Sequence, residues 1–433
     1  MEIVGNIGAG DTHLAGWRSE RNAGGRCRTG AGPAVHPGPT PRSPERTGSG
    51  GPGITVLSTL AVGTGAAALA ILPDLESALA GGGARLPVPA ADTRQRDLLT
   101  TTLRAGELID DAIAVVVSTS GTTGIPKGAL LSAAALTGSA TATHRRLGGT
   151  GRWLLALPAY HVAGLQVLVR SVVGGSAPVA LDASFEPADL VAAVSAMGTG
   201  RRYTSLVSNQ LDKALADPAA AAALAEFDAV LIGGGPMPAG VREKAAAAGV
   251  RVVRTYGMSE TCGGCVYDGV PLDGVQIRLD EGRVSLGGPV LASGYRNPAD
   301  PDPFAEPGWF RTDDFGAVDD SGVLSILGRA DDAVSTGGLT VLPQLVENAL
   351  AGHPAVAECA VFGVPDARLG QRVVAAVVLA AGQREPTLAE LRAHVGRTLD
   401  PTAAPRQLHF VDELPRRGIG KLDRRALIQR FGA

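Results

Sequence analysis

The chain contains little cysteine, few aromatic residues and no strong excess of either charge. Its 4 cysteines in 433 residues are too few for a disulfide-stabilised scaffold. Aromatic residues make up only 4%, which argues against a surface that stacks nucleic-acid bases. The net charge of −3 creates no basic field that would attract nucleic acid or an anionic membrane. These absences favour an ordinary soluble globular protein without either partner.

One uncharged stretch, residues 54–73, is nearly long enough to cross a bilayer. It is rich in Ala, Gly and Thr, and Gly63 and Gly65 divide it into two pieces. We therefore interpret it as a strand, ITVLSTLAV, followed by a helix from about Ala66 to Leu79. The N-terminus also lacks the charged and apolar regions of a secretory signal. We expect a cytoplasmic protein that does not enter the membrane, and the sequence leaves open whether it forms a homo-oligomer.

Composition divides the chain into three parts. Residues 1–52 are dominated by Gly, Pro, Arg, Ser and Thr, which predicts a disordered extension. From residue 53 to 329, short apolar runs alternate with Ala-rich helical stretches, a pattern typical of an α/β domain. Residues 330–433 have a different pattern of apolar runs, which predicts a small α+β unit.

Apolar periodicity predicts individual elements in both ordered parts. For residues 53–329 we predict strands at Ile113–Ser118, Trp153–Leu157, Ala229–Ile232 and Val252–Thr255, a helix at Pro238–Ala248 and a hairpin at Val275–Leu279 and Arg283–Leu286. For residues 330–433 we predict helices at Pro343–Ala351 and Leu388–Leu399 and strands at Ala357–Val361 and Val373–Leu379.

The strongest chemical signal is a loop rich in Gly, Ser and Thr that directly follows the strand IAVVVS. Its backbone N–H groups and hydroxyls would suit a polyphosphate, and Lys127 adds a positive charge. It is not a Walker A loop, because no Gly-Lys-[Ser/Thr] follows at the required spacing. The expected phosphate-binding residues are Ser118, Ser120, Gly121, Thr122, Thr123 and Gly124.

Cys262 and Cys265 form a single C-x-x-C pattern. A zinc site would need two further ligands, and neither a second pair nor a nearby histidine supplies them. A redox pair is the other alternative.

Five stretches, in order, resemble the adenylate-forming superfamily of acyl-CoA synthetases, peptide-synthetase adenylation domains and luciferases. They are the loop from Ser118 to Gly128, Thr255–Glu260, Trp309–Asp314, Gly328–Gly338 and Pro415–Arg424. The resemblance implies a large multi-sheet N-terminal adenylation domain and a small mobile C-terminal domain. It also implies an ATP-dependent acid:coenzyme A ligase that uses ATP, Mg²⁺ and coenzyme A.

The resemblance further implies a role for individual residues. Tyr256 would stack on adenine beside Gly257, Ser259 would contact the α-phosphate, and Glu260 would help to hold Mg²⁺. We therefore favour the interpretation that Cys262 and Cys265 are small neighbours of this adenylate loop. Gly234 and Gly235 would let the backbone approach the adenine closely. The remaining implied roles are ribose binding by Asp314 and Arg329, a hinge at Asp331, and catalysis by the mobile Lys421 with Lys127 and Glu260. Asp313 stands where the family usually has Gly, a departure that would alter the local turn.

The predicted acyl pocket resembles that of the o-succinylbenzoate–CoA ligases of menaquinone synthesis more than that of fatty-acid or amino-acid activators. The resemblance rests on Leu157–Ser171, Thr204–Gln210 and Tyr267–Gly274. Such a substrate has a second, aromatic carboxylate, so an arginine is expected in the pocket. We predict that Arg170 binds it, with Ser205 in support and His161 as a gate. Another acyl- or aryl-CoA ligase, or a catalytically inactive nucleotide-binding regulator, remains an alternative.

Overall fold

The computed structural model describes residues 53–119, 125–182, 184–417 and 421–432. The predicted extension, residues 1–52, and residues 120–124 of the predicted phosphate loop lie outside the described residues. In the described part of the chain, no helix is long and apolar enough to span a bilayer.

Residues 54–146 form two sheets with flanking helices. The strands are β1 (Ile54–Val56), β2 (Ser58–Val62), β3 (Arg85–Pro89), β4 (Leu108–Asp110), β5 (Ile113–Val117) and β6 (Ala129–Ser132). A 3₁₀ helix (Gly65–Ile71) precedes α1 (Leu72–Leu79), α2 (Thr93–Thr102) and α3 (Ala133–Arg146). One sheet has the order β2-β3-β5-β6, and the other consists of β1 paired with β4.

The region around residues 54–79 corrects one prediction. The stretch ITVLSTLAV is not one strand, because it breaks at the fully buried Leu57 and its two halves join different sheets. The predicted helix begins as a 3₁₀ helix at Gly65, and the α-helix starts only at Leu72. Pro73 suits this start, since the first turn of an α-helix needs no N–H donor there.

Residues 152–271 form a seven-stranded sheet of order β13-β12-β11-β10-β9-β7-β8. Its strands are β7 (Arg152–Leu155), β8 (Val179–Ala180), β9 (Arg202–Leu206), β10 (Ala229–Ile232), β11 (Val252–Met258), β12 (Gly263–Tyr267) and β13 (Val270–Pro271). The helices are α4 (Val162–Gly174), α5 (Pro187–Ala196), α6 (Ser208–Leu215), α7 (Pro218–Ala225) and α8 (Ala239–Ala247). Strands β7 to β11 are parallel, and β12 and β13 are antiparallel.

Both faces of this sheet are buried. In β10, Ala229 and Leu231 join one apolar cluster, whereas Val230 and Ile232 join another. Continuous apolar strands such as AVLI are expected where helices cover both faces of a parallel sheet. The carboxyl ends of the parallel strands therefore form an edge at which loops can hold a ligand.

Residues 276–329 form an antiparallel sheet, which confirms the predicted hairpin. Its strands are β14 (Gln276–Asp280), β15 (Arg283–Gly287), β16 (Trp309–Val318) and β17 (Leu324–Arg329). Asp280 pairs directly with Arg283 across the tight turn at Glu281 and Gly282, both of which have positive φ.

The remainder of the described chain is a small α+β unit. Its strands are β18 (Val334–Thr336), β19 (Leu339–Val341), β20 (Val356–Asp366), β21 (Gly370–Leu379), β22 (Gln407–Phe410), β23 (Arg416–Arg417) and β24 (Lys421–Leu422). Its helices are α9 (Pro343–Ala351), α10 (Leu388–Val395) and α11 (Arg424–Phe431). The predicted helix at Leu388–Leu399 is thus shorter than expected, and Gly396 follows its last residue.

The other predicted elements are found with small shifts of their ends. Pro343–Ala351 and Ala229–Ile232 have the predicted bounds, while β11 and β20 extend beyond theirs. This large α/β region followed by a small α+β unit has the predicted fold class.

Candidate active site

Three of the predicted nucleotide-binding residues meet beside the antiparallel sheet. Asp314 on β16 pairs in register with Arg329 on β17, so the two side chains are neighbours. The hydroxyl of Tyr256, on β11, donates to Asp314 Oδ2 at 2.7 Å. Arg329 Nη1 lies 3.5 Å from Asp314 Oδ1. Arg329 also donates two hydrogen bonds to Asp331, of 2.8 and 2.9 Å. The structure therefore joins the predicted adenine, ribose and hinge residues in one chain of contacts.

Burial and neighbouring charges shift the pKa values of Asp314, Tyr256 and Asp331. Burial raises the pKa of Asp314 above its ordinary value, although the Tyr256 hydroxyl and the Arg329 charge oppose that change. Burial also raises the pKa of Tyr256, and the Asp314 carboxylate adds to the effect. For Asp331, burial is outweighed by the hydrogen bonds and charge of Arg329, so its pKa is lowered. The Tyr256 hydroxyl is therefore a fixed donor to Asp314.

Asp313 does not alter a turn as the sequence suggested. It lies within β16, where the strand continues from Trp309 to Val318. Its carboxylate pairs with Arg283 at 2.9 Å and lies 3.7 Å from Arg329 Nη2. Asp313 therefore adds a negative charge beside Arg329.

Glu260, the predicted Mg²⁺ ligand, lies in a short 3₁₀ turn directly after β11. Its side chain is buried, and Oε1 accepts a 2.6 Å hydrogen bond from the Tyr295 hydroxyl. Burial raises the pKa of Glu260, while the bond from Tyr295 and the charge of Lys127 oppose the shift. A single oriented carboxylate fits Mg²⁺, which commonly binds one or two carboxylates together with substrate phosphates.

Tyr295 connects Glu260 to the predicted phosphate loop. The ammonium group of Lys127 lies 5.2 Å from the centre of the Tyr295 ring. The backbone after the loop is held by hydrogen bonds from Arg296 to Gly128 and from Asn297 to Lys127. At the start of the loop, Thr119 is nearly buried, and its hydroxyl has no hydrogen-bond partner among the described residues. Lys127 and Glu260 are thus both neighbours of Tyr295.

Gly257 and Gly234 permit backbone conformations near the predicted adenine site that other residues would not adopt easily. Gly257 has φ +158°, and a Cβ there would lie 2.1 Å from the carbonyl oxygen of Gly263. Only glycine lets β11 and β12 approach this closely. Gly234, in the turn after β10, has φ +82°, a conformation that favours glycine. Gly235 follows it in the same turn after β10.

Arg170, the predicted carboxylate-binding residue, is buried in α4. Its guanidinium lies over the Trp153 ring, 4.9 Å from the centroid, and Nη2 donates to the Tyr267 hydroxyl at 3.3 Å. Nε has no hydrogen-bond partner among the described residues. Burial lowers the pKa of Arg170, and Tyr267 opposes the shift. No Asp or Glu of the described chain forms an ion pair with Arg170.

A buried histidine lies next to this arginine. His144 Nε2 accepts a hydrogen bond from the Trp153 indole N–H at 3.3 Å. Burial, together with the smaller effect of the Arg170 charge, lowers the pKa of His144 to about 4. His144 is therefore neutral at pH 7, so it does not neutralise or repel the guanidinium through a charge of its own.

The other two predicted substrate residues, His161 and Ser205, lie on separate elements. His161 precedes α4, and its ring lies 4.6 Å from that of Tyr160. Ser205 is buried in β9 opposite Leu231 of β10. Among the described residues, no hydrogen bond joins Ser205 to Arg170. His161 thus lies at the N-terminal end of α4, and Ser205 lies in β9.

Cys262 and Cys265 are buried free thiols that follow Glu260. Burial raises the pKa of Cys265 to about 12 and raises that of Cys262 as well. Such thiols are poor nucleophiles at neutral pH. In the described part of the chain, no group of three or more His, Cys, Asp or Glu residues could hold a metal ion. Cys262 and Cys265 lie directly after Glu260, as expected for small neighbours of the nucleotide-binding residues.

Sequence reasoning missed two residues of this region. Tyr295 holds Glu260, but no local pattern marks it apart from the scarcity of tyrosine, of which the chain has 5. Gln166 is fully buried in α4, four residues before Arg170. A polar amide within the apolar run from Val162 to Val173 is a signal that could have revealed it.

Comparison with known proteins identifies the class of this site. The AMP-binding enzyme family model matches residues 73–295, and the model of the AMP-binding enzyme C-terminal domain matches residues 345–421. The chain belongs to the AMP-binding enzyme family. This confirms the resemblance noted in the sequence.

Individual relatives narrow the comparison. A probable 2-succinylbenzoate–CoA ligase of Mycobacterium tuberculosis is 63% identical over 380 residues, covering 87% of this chain and 98% of the relative. The 2-succinylbenzoate–CoA ligase of Enterococcus faecalis is 31% identical. The aligned part covers 72% of this chain and 68% of that relative.

Two solved structures are also similar. The Bacillus subtilis o-succinylbenzoate CoA synthetase in complex with its acyl-adenylate intermediate has a TM-score of 0.67 and 26% identity, with 86% of this chain and 88% of that chain covered. ATP-bound MatB from Rhodopseudomonas palustris has a TM-score of 0.75 and 24% identity, covering 87% and 89%, and shares the fold.

Proposed function

We propose that this protein is an ATP-dependent ligase that converts 2-succinylbenzoate to its coenzyme A thioester through an acyl-adenylate. The observation that carries the substrate assignment is Arg170, a buried cation with no carboxylate partner among the described residues. A buried charge is strongly disfavoured unless it is paired, so the site calls for an anionic ligand. The similarity to named 2-succinylbenzoate–CoA ligases supports the same substrate.

ATP is held by the residues that meet between β11, β16 and β17. The ribose hydroxyls donate to Asp314, and Arg329 contacts the same sugar. The ring of Tyr256 stacks on the adenine beside Gly234 and Gly235. Support for these roles comes from the contacts of Asp314 with Tyr256 and Arg329, which fix a buried acceptor at this place.

The triphosphate lies along the loop from Ser118 to Gly124, with Lys127 and Ser259 as further contacts. Glu260 holds Mg²⁺, an assignment supported by its buried carboxylate oriented by Tyr295. When bound, Mg²⁺ neutralises charge on the phosphate oxygens. A carboxylate with a raised pKa in the free protein becomes more acidic when a cation binds beside it.

The first half-reaction is an in-line displacement at the α-phosphorus. An oxygen of the succinyl carboxylate attacks that phosphorus, the bond to the bridging oxygen breaks, and pyrophosphate leaves. Lys421 bridges the attacking carboxylate and the α-phosphate, and it stabilises the negative charge on the phosphate oxygens in the transition state. No nucleophilic serine or cysteine is needed, which agrees with the raised thiol pKa values of Cys262 and Cys265.

The second half-reaction transfers the acyl group to sulfur. The coenzyme A thiol loses its proton, the sulfur attacks the acyl carbon, and AMP leaves. We propose that residues 330–433 turn about Asp331 between the two steps, which removes Lys421 and opens a path for the thiol. The hydrogen bonds between Arg329 and Asp331 support a defined pivot at this position.

Arg170 binds the aromatic carboxylate, Ser205 supports that end of the substrate, and His161 gates the pocket. The reaction takes place in the cytoplasm, where ATP and coenzyme A are available, and serves menaquinone synthesis.

A pyrophosphate-release screen across 2-succinylbenzoate, benzoate, fatty acids and amino acids tests the proposal. We expect strong release with 2-succinylbenzoate alone, and formation of its thioester when coenzyme A is added. If the protein activates a simple fatty or aryl acid but not 2-succinylbenzoate, it is still an acid:coenzyme A ligase, and the proposed substrate is wrong. Nucleotide binding without turnover of any acid would indicate an inactive regulator.

A further inference from the structure

Helix α4 presents a stripe of three side chains towards β12. Val162, Gln166 and Arg170 are spaced four residues apart and therefore lie on the same face of the helix. On β12, Gly263 and Tyr267 are four residues apart and also share a face, because strand side chains alternate. The two faces meet at both ends, since Gln166 lies opposite Gly263 and Arg170 bonds Tyr267.

Gln166 is a buried amide whose polar atoms form no hydrogen bond within the described part of the chain. Its side chain is 0% exposed, and neither Nε2 nor Oε1 has a hydrogen-bond partner among the described residues. Most buried polar side-chain atoms in native proteins are paired, because an unpaired one loses its bonds to water without replacement. Arg170 Nε lacks a partner as well. Two polar side chains on one buried stripe therefore have unmet hydrogen-bonding capacity.

Gln166 lies between the residues that we assign to the two ends of the substrate. A Cβ on Gly263 would lie 3.5 Å from Cγ of Gln166, so the amide stem packs directly on the Gly263 backbone. Gly263 is three residues after Glu260, at the nucleotide end of the site. Tyr267, which contacts Arg170, is four residues further along β12. Gln166 therefore lies between the adenylate-forming residues and the guanidinium.

We propose that Gln166 recognises the ketone of the substrate by donating a hydrogen bond from Nε2 to the ketone oxygen. This inference rests on the proposed function. 2-Succinylbenzoate has three polar groups in sequence: the reacting carboxylate, the ketone and the ring carboxylate. With one carboxylate at the nucleotide and the other at Arg170, the group between them is a neutral acceptor. A neutral amide N–H matches it without adding a second buried charge.

The experiment compares pyrophosphate release by the wild-type protein and by Gln166→Met, a substitution that keeps the side-chain length. The substrates are 2-succinylbenzoate, the analogue with a methylene in place of the ketone, and the analogue without the ring carboxylate. We expect Gln166→Met to reduce the preference for ketone over methylene by roughly tenfold, the effect of one neutral hydrogen bond. Arg170→Met should change the preference for the ring carboxylate and leave the ketone preference intact.

Thermal melting of the ligand-free proteins provides a readout that does not depend on activity. Because the amide has no described partner, Gln166→Met should melt at the same temperature as the wild type or higher. Gln276→Met, a matched change at an exposed position of β14, should alter neither melting nor substrate preference.

An unchanged ketone preference in Gln166→Met, or a loss that follows the ring carboxylate instead, would overturn the assignment. A lower melting temperature or failure to fold would also overturn it, since either result would reveal an internal structural partner for the amide. If the wild-type protein itself releases no pyrophosphate with 2-succinylbenzoate, the proposed function fails. That failure is visible before any variant is measured.

Discussion

At the scale of a single residue, Arg170 is a buried cation surrounded by an indole ring, a phenol and a neutral imidazole. The sequence predicted it as a carboxylate-binding residue from its place in an apolar stretch. Its burial and the absence of an acidic partner in the described chain agree with that prediction.

Replacing Arg170 should weaken recognition of the ring carboxylate. We expect Arg170→Met to raise KM for 2-succinylbenzoate and to cost about 2–4 kcal/mol in kcat/KM, because the buried substrate carboxylate loses its partner. The analogue without the ring carboxylate should be affected far less, and KM for ATP should barely change. Steady-state pyrophosphate release with both acids checks this, and equal losses for the two acids would contradict the assigned role.

His144 should make stability depend on pH. Its pKa is about 4 in the folded protein and 6.5 ordinarily, so the unfolded chain binds the additional proton between these values. The contribution of His144 to the free energy of unfolding is fully present above pH 6.5 and is lost as the pH falls towards 4. The total loss is about 3 kcal/mol. We expect urea unfolding from pH 7 to 4 to show a steeper loss for the wild type than for His144→Gln. Parallel curves would mean that His144 does not titrate in this way.

At the scale of elements, the hairpin of β23 and β24 brings Lys421 to the small unit. Helix α11 follows it and is anchored by Arg424, which donates two hydrogen bonds to the buried Glu347 and one to Asp332. Helix α11, which follows the strand of the proposed catalytic lysine, is thus fixed within the small unit.

Lys421→Ala should separate the two half-reactions. We expect pyrophosphate release to fall roughly 10²-fold or more, a loss of about 3 kcal/mol that is typical of removing a preorganised charge. Thioester formation from supplied acyl-adenylate should continue, because the proposed turn about Asp331 removes Lys421 from that step. Lys244→Ala, at an exposed lysine of α8, should leave both reactions unchanged. Similar damage to both half-reactions in Lys421→Ala would contradict a mobile role.

At the scale of the whole molecule, the first described residues already belong to the fold. Gly53 accepts a hydrogen bond from the backbone of Asp111, and Ile54 pairs with Asp110. A cut after residue 52 therefore preserves the pairing of β1 with β4. The composition of residues 1–52 predicts that they contribute no buried apolar face.

Deleting residues 1–52 should consequently leave melting temperature and turnover close to those of the full chain. Thermal unfolding and thioester formation measured side by side check this expectation. A large fall in either quantity would show that the segment has a structural or catalytic role.

The sequence by itself determined the α/β class, the position of several strands and helices, and the motifs of an AMP-binding enzyme. These features are local, since apolar periodicity, glycines and short polar patterns act over a few neighbouring residues. Only the tertiary structure decided that ITVLSTLAV divides between two sheets, because strand partners come from distant parts of the chain. It likewise brought Tyr295 to Glu260 and placed the Gln166 amide in α4 without a hydrogen-bond partner in the described chain. Hydrogen bonding across long sequence separations depends on packing, which no local pattern encodes.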